Sequence, residues 1–121
     1  MKIYTSCFGS LKNIPDTIIP VSIARFPPKW FAGAEIRDLA PSKKLLGQAR
    51  SGRIDQAEYT TRYFAEIRER YSPETLVRQL ARDFDDRDVV LLCFEKKGEF
   101  CHRRLVAAWL EDQLGIVVPE W

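Results

Sequence analysis

The chain has 121 residues, of which 45% are hydrophobic and 30% are charged, a balance typical of one globular domain spanning residues 1–121. Nineteen basic and 17 acidic residues leave a net charge of +2, so bulk charge does not indicate a nucleic-acid-binding protein. No apolar run approaches the roughly 20 residues of a spanning helix, and the first residues lack a signal-peptide pattern, so we expect no membrane partner and a cytoplasmic location. Three cysteines, an odd number, do not fit a secreted disulfide scaffold.

The first part of the chain predicts two strands separated by a turn. Lys2–Cys7 is rich in β-forming residues and ends in small polar ones, which is typical of a strand. Leu11–Asp16 contains a proline and predicts a turn or a short helical piece. Ile18–Ala24 predicts the second strand, in which regular pairing begins at Pro20 or later because proline cannot donate to the ladder. Two prolines in the segment Phe26–Phe31 exclude a helix there and predict a stiff loop.

Three helices are predicted in the middle of the chain, each preceded by an N-capping residue. Ser42 is the predicted cap of a helix over residues 43–50. Asp55, with glutamate three residues later, resembles a capping box and starts a helix to about Tyr71. Ser72, followed by proline, starts the third helix. The predicted buried face of the second helix consists of Thr60, Phe64, Ile67 and Tyr71.

The stretch from Asp88 to Leu110 has the pattern of a strand, a turn and a helix. Its continuous apolar run, Val89–Phe94, predicts a strand buried on both faces of a parallel sheet. A polar turn follows, and a helical pattern of apolar residues begins near Cys101. Ile116–Val118 predicts a fourth, short strand after this helix.

Strands separated by helical crossovers predict an α/β fold of three layers, with a short, mostly parallel sheet flanked by helices. Ligands bind to open α/β sheets beyond the carboxyl ends of the strands. If the first three strands are parallel, this edge gathers most of the residues with distinctive side-chain chemistry. Those residues are Ser6, Cys7, Arg25, Cys93, Glu95, Cys101, His102 and Arg103.

Leu92–Glu95 followed by Phe100–Leu105 resembles the C-x-E…C-H-R-x-x-L signature of the domain-of-unknown-function 488 family. Ile3–Thr5 is similar to that family's opening strand, and Ser22–Pro27 is similar to its second strand. That second strand lacks the aspartate that a typical member has before the arginine. The resemblance covers most of the chain and implies a Rossmann-like α/β domain, without implying a particular reaction.

Two arginines are predicted to bind an anion. Guanidinium groups match the geometry of phosphate or carboxylate, and the free amides at the start of the last helix add donors. Arg103 and Arg104 lie in the first helical turn, where the helix dipole disfavours each cation by about 0.3–1 kcal/mol, and such a violated local rule is expected at a functional site. An ion pair between Arg25 and Glu95 is the structural alternative. The predicted ligand-binding residues are Arg25, Arg103, Cys93 and Ser6.

Glu95 and His102 are the predicted proton-transfer residues. Glu95 has the chemistry of a general base, and a helix N-terminus tends to keep histidine neutral, which suits a proton acceptor. Cys101 is a weaker candidate, as a nucleophile, because nearby basic residues and the helix N-terminus lower the pKa of a thiol. The alternatives are a salt bridge for Glu95, a hydrogen-bonded helix start for His102 and a small buried side chain for Cys101.

Metal binding and base stacking are weaker hypotheses. Cys7, Cys93, Cys101 and His102 have donor atoms suited to zinc, but the spacing of Cys93 and Cys101 matches no familiar zinc motif, so no metal and no cofactor are predicted. The aromatic residues of the 26–31 loop, with nearby lysines, have the chemistry to stack on a nucleobase, although aromatics beside prolines more often pack a loop onto the core.

The leading hypothesis is an enzyme that binds a phosphate-bearing small molecule or nucleotide and catalyses hydrolysis or group transfer. The alternative is a non-catalytic module that binds nucleic acid or nucleotides through the same arginines. The enzyme requires Glu95 or His102 to face an enclosed pocket, whereas the module requires a broad, open basic groove. A third hypothesis, a redox or metal-sensing protein, requires two cysteines within bridging distance or a bound metal.

Overall fold

A computed structural model describes residues 1–121, and its centre is one sheet of four parallel strands. The strands are β1 (Ile3–Cys7), β2 (Ile19–Ser22), β3 (Ala34–Glu35) and β4 (Val89–Cys93). Their order in the sheet is β1-β4-β2-β3, so β4 lies between the first two strands of the chain. Every residue of β4 is buried, as its uninterrupted apolar sequence predicts.

Four α-helices accompany the sheet, and the N-caps of the first three are the predicted ones. The helices are α1 (Lys43–Arg50), α2 (Gln56–Arg70), α3 (Pro73–Asp83) and α4 (His102–Leu114). The side chains of Ser42, Asp55 and Ser72 each accept a hydrogen bond from the backbone N–H three residues later. Short 3-10 helices span Phe8–Asn13 and Arg37–Leu39.

Alternating residues of β4 point to opposite faces of the sheet. Val89 and Leu91 belong to the larger apolar core, which contains the buried residues of all four α-helices. Val90 and Leu92 belong to a smaller core that is covered by Phe8 and neighbouring loop residues. The 3-10 helix Phe8–Asn13 therefore supplies the thinner third layer. The fold is the predicted Rossmann-like α/β arrangement.

The predicted strand at Ile116–Val118 is wrong. This segment makes no strand, and the strand-type pairing of the C-terminal tail with β1 is one isolated parallel bridge between Thr5 and Glu120. Pro119 has no N–H group, so regular pairing cannot extend back through it. The fourth strand is instead β3, which pairs with β2 through two residues.

The predicted buried face of α2 is only partly correct. Tyr59, Tyr63 and Ile67 are its buried residues, while Phe64 packs at the margin of the core. Both sets of residues have helical spacing, so periodicity alone does not separate them. Tyr63 can be buried because its hydroxyl has a hydrogen-bond partner: it donates to the Leu39 carbonyl at 2.6 Å.

The register of the sheet aligns the carboxyl ends of three strands. Cys7 lies opposite Cys93, and Ser22 lies opposite Leu92, so β1, β4 and β2 end at one edge. The parallel direction on which the predicted ligand-binding edge depended is confirmed. As for membrane association, no helix here has the length and apolar character required to span a bilayer.

Candidate functional site

A cleft of about 310 Å³ lies beyond the carboxyl ends of β2 and β4. Its walls come from the segment after β2, the end of α1, the start of α2 and the strand-to-helix turn between β4 and α4. This volume is at the lower end of the range of small-molecule sites. The polar and sulfur-containing side chains that line it include Arg25, Tyr59, Cys93, Glu95, Cys101 and His102.

The structure brings five of the seven predicted site residues to this cleft. Arg25, Cys93, Glu95, Cys101 and His102 all line it. Ser6 and Arg103 do not. The Ser6 hydroxyl is buried and donates to the carbonyl of Trp121 at 3.2 Å, beneath the C-terminal tail.

Arg103 is completely buried, and its guanidinium is bound within the protein. Nε donates to a carboxylate oxygen of Glu120 at 2.9 Å. Nη1 donates to the Glu95 carbonyl at 2.7 Å and to the Cys93 sulfur at 3.2 Å, and Nη2 donates to the Lys96 carbonyl at 3.3 Å. These bonds hold the turn after β4 and the C-terminal tail together. They explain how a cation is stable in the first turn of α4.

Arg25 is half-exposed, and most of its guanidinium is available to the cleft. Its Nε donates to the carbonyl of Pro41 at 3.0 Å, which orients the side chain and leaves both terminal nitrogens without a protein partner. Arg25 and Glu95 form no ion pair with each other, nor does Glu95 pair with any other cation. The Arg25 guanidinium and the Glu95 carboxylate are therefore both free for a ligand in the cleft.

His102 is buried and is tied to the segment after β2. Its Nε2 lies 2.7 Å from the Ile23 carbonyl. Because a carbonyl only accepts, Nε2 carries the proton and Nδ1 has the free lone pair. Burial lowers the pKa of His102 from 6.5 to about 4, the bond to Ile23 opposes this change, and the Arg103 charge adds to it. The imidazole is therefore neutral at neutral pH.

Cys93 and Cys101 form a disulfide that crosses the turn between β4 and α4. This pairing meets the condition that the redox hypothesis set, namely two cysteines within bridging distance. While it is bonded, Cys101 is not a thiolate nucleophile. Cys7 is the free cysteine; it is buried, and its sulfur lies 3.4 Å from the Ser10 hydroxyl.

Tyr59 is a cleft residue that sequence reasoning missed. Its ring is buried, but its hydroxyl has no partner within the protein and no buried side-chain polar atom lacks one, so the hydroxyl remains accessible. Burial raises the pKa of Tyr59, and the nearby carboxylates of Glu95 and Glu66 raise it further. The phenol therefore stays protonated and serves as a hydrogen-bond donor. The one sequence clue was its spacing of four residues from Tyr63 on an amphipathic helix.

The aromatic residues of the 26–31 loop divide into two groups. Phe31 packs edge-on against Phe8, as the structural alternative predicted for the loop, whereas Trp30 also lies edge-on to Phe8 but is 63% exposed. Phe26 instead lines the cleft with 52% of its surface exposed, and Lys43 Nζ lies 5.9 Å from the centre of its ring. Phe94 also lines the cleft and is 47% exposed. Two aromatic rings therefore stand at the cleft without full burial.

Together, the parallel sheet and the cleft at its carboxyl edge define a small Rossmann-like α/β domain. A protein-family model, DUF488-N3a, described as the active DUF488-N3 subclade, matches residues 3–114. The chain belongs to the domain-of-unknown-function 488 family, which confirms the resemblance noted for its cysteine, histidine and arginine motif. Searches of curated proteins and of solved structures found no match.

Replacing Arg103 with methionine should destabilise the protein strongly. Arg103→Met keeps much of the side-chain volume but leaves Glu120 and the carbonyls of the turn without their donor, at a cost of about 3 kcal/mol in the free energy of unfolding. Arg104→Met, at an exposed position one residue later, should change stability by no more than about 0.5 kcal/mol. Urea denaturation of both variants measures the difference. Equal effects would show that the buried guanidinium does not stabilise the fold.

His102 should make stability depend on pH between about 4 and 6.5. Its pKa is lower in the folded chain than in the unfolded chain, so the unfolded chain takes up the proton first as the pH falls. Stability is unaffected by this group above pH 6.5, falls through the window, and is reduced by about 3 kcal/mol below pH 4.

His102→Gln provides the control for this pH dependence, because it retains a donor for the Ile23 carbonyl but does not titrate. Both proteins contain the same carboxylates, so the difference between their stability profiles isolates the histidine. Denaturant unfolding at intervals from pH 7 to pH 4 should show a steeper loss in the wild type. Parallel profiles would contradict the lowered pKa.

Proposed function

We propose that this protein binds a phosphate-bearing small molecule of the nucleotide type in the cleft and acts on it as a hydrolase or transferase. The observation that carries the proposal is one concave site with four complementary groups. They are a free guanidinium, a free carboxylate, an accessible phenol and a neutral imidazole on Arg25, Glu95, Tyr59 and His102.

The arginines of the cleft are suited to a phosphate. Arg25 presents two terminal nitrogens, and Arg50 at the end of α1 lines the same cleft. Guanidinium groups form paired, charge-assisted hydrogen bonds with phosphate oxygens. Pro41 fixes the Nε end of Arg25, so less conformational freedom is lost when an anion binds. In this proposal Arg103 has a positioning role, because its nitrogens hold Cys93 and the Glu95 turn.

The aromatic residues of the cleft are suited to a planar group such as a nucleobase. Phe26 and Phe94 are partly exposed there, and Phe100 contributes a third ring to the lining. Stacking of a base on an aromatic side chain contributes about 1–3 kcal/mol. Partial exposure of such rings is costly in the absence of a ligand, and binding would remove that cost.

The four groups have the chemistry for transfer of a phosphoryl group. Glu95 would accept a proton from the attacking water or acceptor hydroxyl as the new O–P bond forms. The bond to the leaving group would break with its electron pair, and that group would take a proton from solvent. Arg25 would balance the charge on the phosphoryl oxygens, and the Tyr59 hydroxyl would donate to an oxygen of the ligand. Neutral His102 offers Nδ1 as a second proton acceptor.

Ligand binding should depend on Arg25. Mononucleotides and inorganic phosphate, tested by thermal shift, should raise the melting temperature of the wild type with increasing concentration. Arg25→Gln removes the charge and should weaken binding by about 10-fold or more, since a hydrogen bond to a charged group contributes about 1.5–3 kcal/mol. Arg87→Gln, an exposed arginine outside the cleft, should bind like the wild type.

Short single-stranded DNA and RNA separate this proposal from the binding module. A shift only with polynucleotides, decreasing with salt, would support the module and contradict the small-molecule site. No shift with any of these ligands in a folded protein would also contradict it.

Turnover should depend on Glu95 more than binding does. Glu95→Gln is isosteric, so the affinity for the nucleotide, measured by thermal shift, should stay within about threefold of the wild-type value. Turnover should fall by about 10²- to 10⁴-fold, which is the contribution typical of general-base catalysis. Glu99→Gln lies in the same exposed turn but outside the cleft and should keep full activity. Release of phosphate or transfer of the phosphoryl group, followed over time, measures the effect. Equal activity of Glu95→Gln and wild type would eliminate Glu95 as the base.

A further inference from the structure

We propose that reduced Cys93 and Cys101, together with His102, bind one soft divalent cation such as Zn²⁺ at the floor of the cleft, and that the disulfide is the closed state of this site. The two sulfurs and the imidazole nitrogen all lie within 4.8 Å of one another. No other cluster of three histidine, cysteine or carboxylate groups is close enough to hold a metal.

The distance between the Cys101 sulfur and the His102 Nδ1 atom suits tetrahedral coordination of one ion. Cys101 Sγ and His102 Nδ1 are 3.7 Å apart. Ligand bonds of about 2.3 Å to sulfur and about 2.0 Å to nitrogen would place these two atoms about 3.6 Å apart in a tetrahedron. The two sulfurs are bonded to each other in the disulfide, so they must be reduced and move apart before both can bind the ion.

The histidine is oriented as a metal ligand would be. Its Nε2–H group donates to the Ile23 carbonyl at 2.7 Å, so the lone pair of Nδ1 points towards the sulfur of Cys101. Metal-binding histidines almost always donate their other ring N–H to a carbonyl or carboxylate, which fixes both tautomer and ring. The arrangement required for ligation therefore exists in the disulfide form.

A guanidinium faces the sulfur of Cys93. The sulfur is buried at the end of β4 and receives a hydrogen bond from Arg103 Nη1 at 3.2 Å. A neighbouring guanidinium offsets the negative charge of a thiolate that binds a metal. Cys93 and Cys101 stand at the ends of a strand and a helix, so neither ligand relies on a mobile loop.

The site would have an open position. Cys93, Cys101 and His102 all line the cleft, and the structure offers no fourth protein ligand among them. Two sulfurs and one imidazole with a free fourth position form a ligand set of the type found at catalytic zinc sites. A water molecule or an oxygen of a bound anion would occupy that position.

Metal binding and disulfide formation exclude each other because both use the same two thiolates. A low-molecular-weight disulfide such as oxidised glutathione would accept two electrons and two protons from the two thiols and become two thiols, leaving the Cys93–Cys101 bond. Oxidation would thus release the metal, and reduction by thiols would restore the site. Cys7 takes no part, since its sulfur contacts Ser10 outside the cluster.

Titration of the full chain with Zn²⁺ and with Co²⁺ tests the proposal. Protein reduced with a phosphine should bind one equivalent of Zn²⁺ by calorimetry, and Co²⁺ should give the thiolate charge-transfer absorption of a sulfur-ligated site. The same protein oxidised with glutathione disulfide should bind neither ion. Because wild type is compared with itself, this comparison does not depend on the folding of any variant.

Three single substitutions identify the ligands. Cys93→Ser and Cys101→Ser should weaken Zn²⁺ binding by about 100-fold or more, since loss of a supporting group alone costs about 10- to 100-fold. Cys7→Ser, which replaces a buried thiol next to a hydroxyl, should bind like wild type. Failure of the reduced chain to bind either ion, with three thiols present and the fold intact, would overturn the proposal. Equal binding by reduced and oxidised protein would do the same.

Discussion

The architecture of the carboxyl edge depends on the buried guanidinium of Arg103. A fully buried arginine is stable only when its charge is paired and its donors are satisfied, because the cost of removing the ion from water is several kcal/mol. Here Glu120 supplies the charge, and two backbone carbonyls and the Cys93 sulfur accept from the remaining nitrogens. The same bonds attach the C-terminal tail and the 95–96 turn to the end of β4. One guanidinium therefore connects the start of α4 to the end of β4 with its following turn and to the C-terminal tail.

The first turn of α4 connects the two strands between which the cleft opens. His102 donates to the carbonyl of Ile23, just after β2, while Arg103 holds the end of β4. Cys101, immediately before them, is bonded to Cys93. Three consecutive residues thus reach both neighbouring strands, which leaves little freedom in the relative position of the side chains that line the cleft. Such rigidity is what a site needs to orient a ligand.

The sequence predicted regular elements well where local physics determines them, and poorly where tertiary contacts do. The apolar run of β4 and the helix caps were read directly from residue types. The two-residue strand β3 is too short to produce a periodic pattern, and the apolar segment Ile116–Val118 forms no strand because Pro119, which follows it, has no N–H to continue a ladder. The candidate site was located at the correct edge because strand direction follows from helical crossovers. The burial of Arg103 and the accessible hydroxyl of Tyr59 were not predictable, because each depends on residues distant in the chain.

The proposed ligand and the proposed metal would share one cleft, which makes their binding energies interdependent. With the disulfide formed, the floor is an uncharged sulfur pair beside neutral His102, and Arg25 and Arg50 are the arginines that line the cleft. With the thiols reduced and a divalent cation bound, an open coordination position would face the anion. Thermodynamic reciprocity then requires that an anionic ligand that binds the metal form more tightly also strengthens metal binding by the same factor. Because such a ligand would stabilise the reduced, metal-bound state against oxidation, the redox state of two cysteines would be linked to occupancy of the cleft.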